Sequence, residues 1–419
     1  MAIDTVLNPK LTSEMATSKK VQDIAKKLFE VINSESTNLT RIEIIQLLKN
    51  LNKTFLDKIE DLAELEWKTQ TLIKKIKIAD SYMELRDIHA ELNETQKSFF
   101  SMLPSVGELM AVCTEYRDLI TKKIINFVIQ ELINQSVFLP EESFAYLSLG
   151  SDARMEQTLI TDQDNLIVFE DSKSRYKDVY YERFSELLVE RLSFCGFKKC
   201  SGGIMPSNKE WRGGLSEWME RVEDLCRFKA KDYKKNLVNL ISLTDLRFIY
   251  GDEELAQRFI TSVYGRIFDN QIVLNEIAKS AASLGVAKGF MRTLKTEKKG
   301  AFKGMINIKL HAWAPLILAI RAFAMKNRVM ETGTIKRIDA LVQAGAFSKE
   351  DGALLKRDYY LITRLKVTAQ VYYLNGKSES EYYLNPNDMT KKEKEELLDA
   401  LSDIEKIQKL LIESMGLRI

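Results

Sequence analysis

Residues 144–170 read FAYLSLGSDARMEQTLITDQDNLIVFE. The apolar run from Phe144 to Leu149 has the length and character of a buried strand. It breaks at Gly150-Ser151 and passes into a polar, helix-compatible turn from Asp152 to Gln157. A second apolar run, Leu166 to Phe169, follows directly on Thr161-Asp162-Gln163-Asp164-Asn165. Side chains alternate faces along an extended chain, so Asp162 and Asp164 point the same way with Cα atoms about 6.5–7 Å apart. Two carboxylates on one face beside a glycine-led turn suit a divalent metal that carries a nucleotide phosphate.

The stretch from Leu237 to Tyr250 supplies a third acid. Read as a strand, it puts Ile241, Leu243, Asp245 and Arg247 on one face. An aspartate inside such an apolar run is costly unless it is paired or metal-bound. Asp245 is therefore the candidate third carboxylate, expected to converge with Asp162 and Asp164 within about 4–6 Å. Gly150 lets backbone approach a phosphate, Ser151 adds a hydroxyl and an amide at the start of a turn, and Arg154 lies one turn on to neutralise a triphosphate. Mg²⁺ or Mn²⁺ on the three aspartates would then serve an in-line phosphoryl displacement, with a third carboxylate available to take the attacking hydroxyl's proton.

Around this centre the chain is soluble in composition and mostly helical in pattern. At 419 residues it exceeds one ordinary core, so two or three domains are expected. Only 18 Gly and 6 Pro leave room for few turns and strands. Lys plus Arg (62) and Asp plus Glu (60) leave a net charge of +2, which gives no basis for a nucleic-acid template or an anionic membrane as partner. Cys113, Cys195, Cys200 and Cys226 lack metal-type spacing and read as reduced thiols. The first residues show no signal-peptide layout, and the longest apolar run, Ala312 to Ile320, is too short to span a bilayer, so a cytoplasmic protein is expected.

The periodicity divides the chain into a frayed segment at 1–16, a helical unit at 17–105, a mixed core at 106–268 and a second helical unit at 269–419. In the first helical unit, apolar positions from Val21 to Ile32 and from Ile45 to Leu62 fall at helical spacing, the latter after a capping-box layout at Thr40–Glu43. Thr390–Glu393 repeats that layout before the final helix. His89 stands alone in a helical region, a packing or surface residue rather than a metal ligand. Trp211, Trp218 and Trp313 read as core, and His311 as a satisfied packing residue. The basic run Arg292, Lys295, Lys298, Lys299 and Lys303 reads as a solvated loop.

The ordered set of strand, Gly-Ser, Arg and Asp-x-Asp resembles the nucleotidyltransferase superfamily that includes DNA polymerase β. It is more similar to the bacterial nucleotidyltransferases related to the amino-terminal part of the PII-protein uridylyltransferase, which are usually fused to CBS or cyclic-nucleotide-binding domains. GSDARMEQTLITDQDN, CSGGIMPSNKEW, LTDLRFIYGD and INIKLHAWAPLILAIRAFAM carry the resemblance, across the chain from about Val106 onward. It implies an α+β fold: a small mixed sheet of the polymerase β type between helical flanks. It further implies an NTP site with Gly150, Ser151 and Arg154 on phosphates and Asp162, Asp164 and Asp245 on metal. Asn208 and Lys309 fall in the matching segments without an assigned role. The chain departs from the pattern at Ala153, where relatives usually carry glycine, and no CBS-like segment is read before the core. With His89 and His311 as its only histidines, it has no His-Asp hydrolase site of the deuridylylating kind.

Three roles stay open at this point. The first is transfer of a nucleoside monophosphate to a protein hydroxyl, which the uridylyltransferase resemblance favours. The second is transfer to a small molecule. The third is a non-catalytic, nucleotide-sensing module of the same fold.

Overall fold

The computed structural model describes residues 41–174, 176–228 and 232–417. The segment at 1–16, the helix read between Val21 and Ile32, and the capping box that begins at Thr40 lie outside the described residues. Three long helices come first: α1 (Arg41–Ile78), α2 (Tyr82–Met102) and α3 (Val106–Asn134). They pack on one another, but the apolar stripe of α1 is covered only in part. Ile45 and Leu48 are exposed whereas Leu62, Leu72 and Ile76 are buried.

The sheet begins with β1 (Phe144–Ser148), every residue of which is buried. A single turn, α4 (Gly150–Ala153), follows, then β2 (Asp162–Gln163) and β3 (Asn165–Phe169). Next come α5 (Tyr176–Phe194), β4 (Lys198–Lys199), β5 (Arg212–Gly214), α6 (Leu215–Cys226), α7 (Tyr233–Ser242) and β6 (Arg247–Gly251). The main sheet runs β5-β3-β1-β6; β1 is antiparallel to both β3 and β6, and β5 is parallel to β3. Parallel and antiparallel pairs in one small sheet, amid helices, make the fold α+β and mostly helical, as the sequence implied.

The run from Leu237 to Tyr250 is corrected by the structure. It is two elements, helix α7 to Ser242 and strand β6 from Arg247, and Asp245 lies in the turn between them. Leu237 and Leu240 are buried on one helical face, a spacing that a short apolar run satisfies as readily as it does a strand.

After β6 the chain is helical again: α8 (Glu253–Phe268), α9 (Gln271–Ala282), a short strand β7 (Ile306–Asn307), a π-helical turn at Lys309–Trp313, and α10 (Ala314–Lys326). Then come α11 (Thr334–Gln343), α12 (Lys349–Leu374), β8 (Tyr383–Leu384), which pairs with β7, and α13 (Lys391–Ser414). The capping box at Thr390 is formed: its hydroxyl accepts from Glu393 N, and the Glu393 carboxylate takes the Thr390 N–H at 2.8 Å. One continuous apolar core joins α2 and α3, the sheet and the C-terminal helices.

His89 is buried in that core, with Nδ1 2.7 Å from Cys195 O, and burial pushes its pKa down to about 3. Its other ring nitrogen meets Arg117 of α3, which donates to Thr158 O at 2.6 Å and Leu159 O at 3.3 Å. Helix α3 thus fixes the loop that delivers Asp162. The three tryptophans read as core, Trp211, Trp218 and Trp313, are all buried. Among the described residues, no helix is long and apolar enough to cross a membrane.

Candidate active site

Gly150 sits in the left-handed region at φ +58°, directly after β1. A Cβ there would stand 2.8 Å from Asp164 Oδ2, so the absence of a side chain lets the Asp164 carboxylate lie against the turn. Backbone closes the same contact, with Leu149 N–H donating to Asp164 O at 2.8 Å. The Gly-Ser turn and the second acid of the Asp-x-Asp pair are therefore neighbours in space. Along the chain Gln163 and Asn165 are buried while Asp162 and Asp164 are each part-exposed, which is the alternation that sends both carboxylates to one side.

The turn is held from both flanks. Arg247 of β6 grips Asp118 of α3 through two bonds (2.6 and 2.9 Å) and Asp152 through another at 2.6 Å. From the C-terminal helices, Thr332 Oγ1 donates to Ala153 O at 2.8 Å, and Thr334 N–H donates to Glu156 Oε1 at 2.7 Å. Ala153 itself is fully buried.

Arg154 does not face outward. Its Nε donates to Glu156 at 2.7 Å and its Nη1 to Asp245 Oδ2 at 2.5 Å. Asp245 also accepts from Arg321 of α10, and Arg337 of α11 stands 2.9 Å from its Oδ1 as an ion pair off the hydrogen-bond direction. Asp245 and Arg337 are fully buried, and Arg154 and Arg321 nearly so. Burial alone would raise the Asp245 carboxyl, but Arg321, Arg154 and Arg337 outweigh it and hold the group below the usual carboxylate value.

The expected three-carboxylate cluster is thus not what the structure assembles. Among the described residues, no group of three or more His, Cys, Asp or Glu is placed to hold a metal ion. The cost of burying Asp245 is met by guanidinium groups, two of them from the C-terminal helices. Nothing local to the Asp245 sequence announces those partners.

Asp162 and Asp164 are set differently. Among the described residues neither has a Lys, Arg or His within ion-pair distance. Burial raises both carboxyls above the usual value, and the charge of Asp162 adds to the rise at Asp164. The pKa of the Cys200 thiol is pushed up to about 11 by burial and by the Asp164 carboxylate near it. Beside them the end of β1 and the start of β3 face each other with two further polar atoms, Ser148 Oγ and Asn165 Oδ1, that are buried without a partner among the described residues. A half-enclosed acidic pair lacking an internal cation fits Mg²⁺, which takes one or two carboxylates and fills its other positions with water and substrate phosphate.

Residues 90–232 match the family described as "Putative nucleotidyltransferase DUF294", and residues 271–414 match its companion, "Putative nucleotidyltransferase substrate binding domain". The chain belongs to this nucleotidyltransferase family. No curated protein matches the chain. The first match contains the Gly-Ser turn and the Asp162–Asp164 pair, and the second contains Lys309, Trp313, Arg321, Arg337 and Lys366.

Sequence reasoning did not single out Lys366. It lies on the buried face of α12 with Thr363 and Gln370, a polar series at helical spacing within an otherwise apolar stripe. That series is the signal that would have found it.

Proposed function

We propose that this protein transfers a nucleoside monophosphate from an NTP to an acceptor, with Asp162 and Asp164 holding Mg²⁺ or Mn²⁺ and the Gly150-Ser151 turn receiving phosphate. The observation that carries this reading is the pair of enclosed carboxylates without an ion-pair partner among the described residues, one of which, Asp164, is pressed against the glycine turn. Bound metal would supply the positive charge that draws the phosphate oxygens together and offsets charge building up at phosphorus. The chain's own part is to fix position. Gly150 keeps backbone and carboxylate in contact, Arg247 and Arg117 pin the two loops, and the enclosure limits water around the acids.

Arg154 acts here as a bracket for the turn rather than as a ligand, because Glu156 and Asp245 occupy its guanidinium. Asp245 likewise is a positioning residue: it joins the phosphate turn to α10 and α11, and its depressed pKa makes it a poor base for an acceptor hydroxyl.

The acceptor we favour is a hydroxyl of a cytoplasmic protein, supported by the resemblance to uridylyltransferases and by broad helical flanks. The test is incubation with α-labelled NTPs and lysate beside an Asp162→Ala/Asp164→Ala double variant. Label on a protein band with wild type alone supports the reading; label confined to small molecules moves the acceptor to that class. That no third His, Cys, Asp or Glu among the described residues joins Asp162 and Asp164 in a metal-holding group favours one rival, a nucleotide sensor without turnover. Metal-dependent NTP binding without transfer to any acceptor would establish that rival.

A further inference from the structure

Lys366 of α12 is 6% exposed, and among the described residues no carboxylate stands within ion-pair distance of it. Its ammonium lies 4.3 Å from the centre of the Trp313 ring, and the Arg154 guanidinium lies 5.4 Å from the same ring. Trp313 is itself buried and its Nε1–H has no partner among the described residues. Lys309, in the π-helical turn, donates to Tyr382 Oη at 3.2 Å and lies over that ring at 4.3 Å. The two nearby acids are engaged elsewhere: Glu156 with Arg154 and Thr334 N–H, and Glu381 with Lys198 at 3.6 Å. Both lysines reach Asp162 with their fields and oppose the effect of its burial.

A buried ammonium with no counter-ion is expensive, and so is a buried indole N–H without an acceptor. Both belong to the C-terminal elements, and Lys366 lies near enough to Asp162 for its field to act there. The missing group must carry negative charge and acceptor oxygens, and it must tolerate two cations. Burial, Lys309 and Arg154 together push the Lys366 pKa down to about 7, and an anion seated beside it would raise that value again.

Resting on the nucleotidyl-transfer reading, we propose that Lys366 and Lys309, walled by Trp313, form the seat for the β- and γ-phosphates of the nucleotide. In the transfer the acceptor oxygen bonds to the α-phosphorus as the bond to the bridging oxygen of the β-phosphate breaks. The electron pair leaves with pyrophosphate, and the acceptor's proton is released to solvent. The two lysines sit where the new charge appears, so they favour departure of the leaving group as well as binding. The C-terminal helices thereby supply half of the phosphate site rather than only a surface for the acceptor.

Inorganic pyrophosphate, titrated calorimetrically into the full chain without divalent metal, tests the seat. Lys366→Met should weaken binding at least tenfold, Lys309→Met by a smaller factor, and Lys366→Arg should retain most of it. Asp162→Asn/Asp164→Asn should bind pyrophosphate as well as wild type or better, since it removes only negative charge. The melting temperature of Lys366→Met, expected at or above that of wild type, separates lost binding from lost fold. Unchanged affinity in Lys366→Met, or no pyrophosphate binding by wild type, would overturn the proposal. Pyrophosphate binding that depends on Lys366, in a protein that binds no MgNTP, would uphold the anion seat and remove the nucleotidyl-transfer reading instead.

Discussion

Asp245 and the Asp162–Asp164 pair are acids in the same half of the molecule, yet their surroundings are opposite. Asp245 is wholly enclosed and met by three guanidinium groups, so its charge is satisfied by the chain alone. Asp162 and Asp164 are less deeply set but have no such partner among the described residues, and burial raises their carboxyls. A buried charge neutralised from within holds elements together. One left without a counter-ion is held ready for a cation from outside. Acidity and burial alone do not distinguish the two; the nearest opposite charge does.

The largest expected effect separates them by activity. Asp162→Ala/Asp164→Ala should lower nucleotidyl transfer by about 10³-fold or more, the scale for losing the groups that meet transition-state charge, while circular dichroism and melting stay native. Loss of fold in that variant would place the pair with Asp245 as a structural element.

Asp245→Asn should fail the other way. It leaves Arg154, Arg321 and Arg337 crowded with only Glu156 to oppose them, and removing one partner of a buried ion pair costs about 3–5 kcal/mol, measurable by denaturant unfolding. The pH dependence has a definite sign. The Asp245 carboxyl is held below the usual 3.8, so its contribution is present above that pH and is lost as pH falls through the depressed value. The acid limb of the wild-type stability profile should therefore flatten in Asp245→Asn.

A smaller effect is expected at the contact between turn and acid. Gly150→Ala adds a Cβ at 2.8 Å from Asp164 Oδ2 and at φ +58°, so the carboxylate must shift. Displacing a support of a metal ligand typically weakens binding about 10- to 100-fold, to be read as the apparent Mg²⁺ affinity in the presence of NTP.

The smallest effect is also the one that most sharpens the contrast. The folded-state carboxyl of Asp164 lies above its unfolded value, so its ionisation costs stability as pH rises through that range. Without metal, Asp164→Asn should melt slightly higher than wild type near neutral pH, with the gain vanishing in acid. Asp245→Asn should melt lower throughout the neutral range.

The sequence made the central stretch readable because its signals are local. The apolar run ending at Gly150 and the alternation from Asp162 to Asn165 each need only a few adjacent residues, and both are realised. The helices Glu253–Phe268 and Lys349–Leu374 carry buried apolar residues at helical spacing, a signal of the same local kind. The run from Leu237 to Asp245 was ambiguous in period, and the helix prevailed because Leu237 and Leu240 pack on one face. The partners of Asp245 come from α10 and α11, so no local pattern could assign its role. For the same reason the position of Arg154 beside the turn was legible, but the direction of its guanidinium, set by Glu156 and Asp245, was not. Lys366 comes from a helix far along the chain, and only the polar series on a buried stripe hinted at it.

The central claim is that Asp162 and Asp164 are a metal-and-nucleotide site and Asp245 is not. Calorimetric titration of NTP into wild type, Asp164→Asn and Asp245→Asn, with and without Mg²⁺, tests it most directly. Wild type should bind with a strong Mg²⁺ dependence. Asp164→Asn should lose that dependence while staying folded, and whatever fraction of Asp245→Asn remains folded should keep it. Mg²⁺-dependent binding that survives in folded Asp164→Asn but disappears in folded Asp245→Asn would contradict the account.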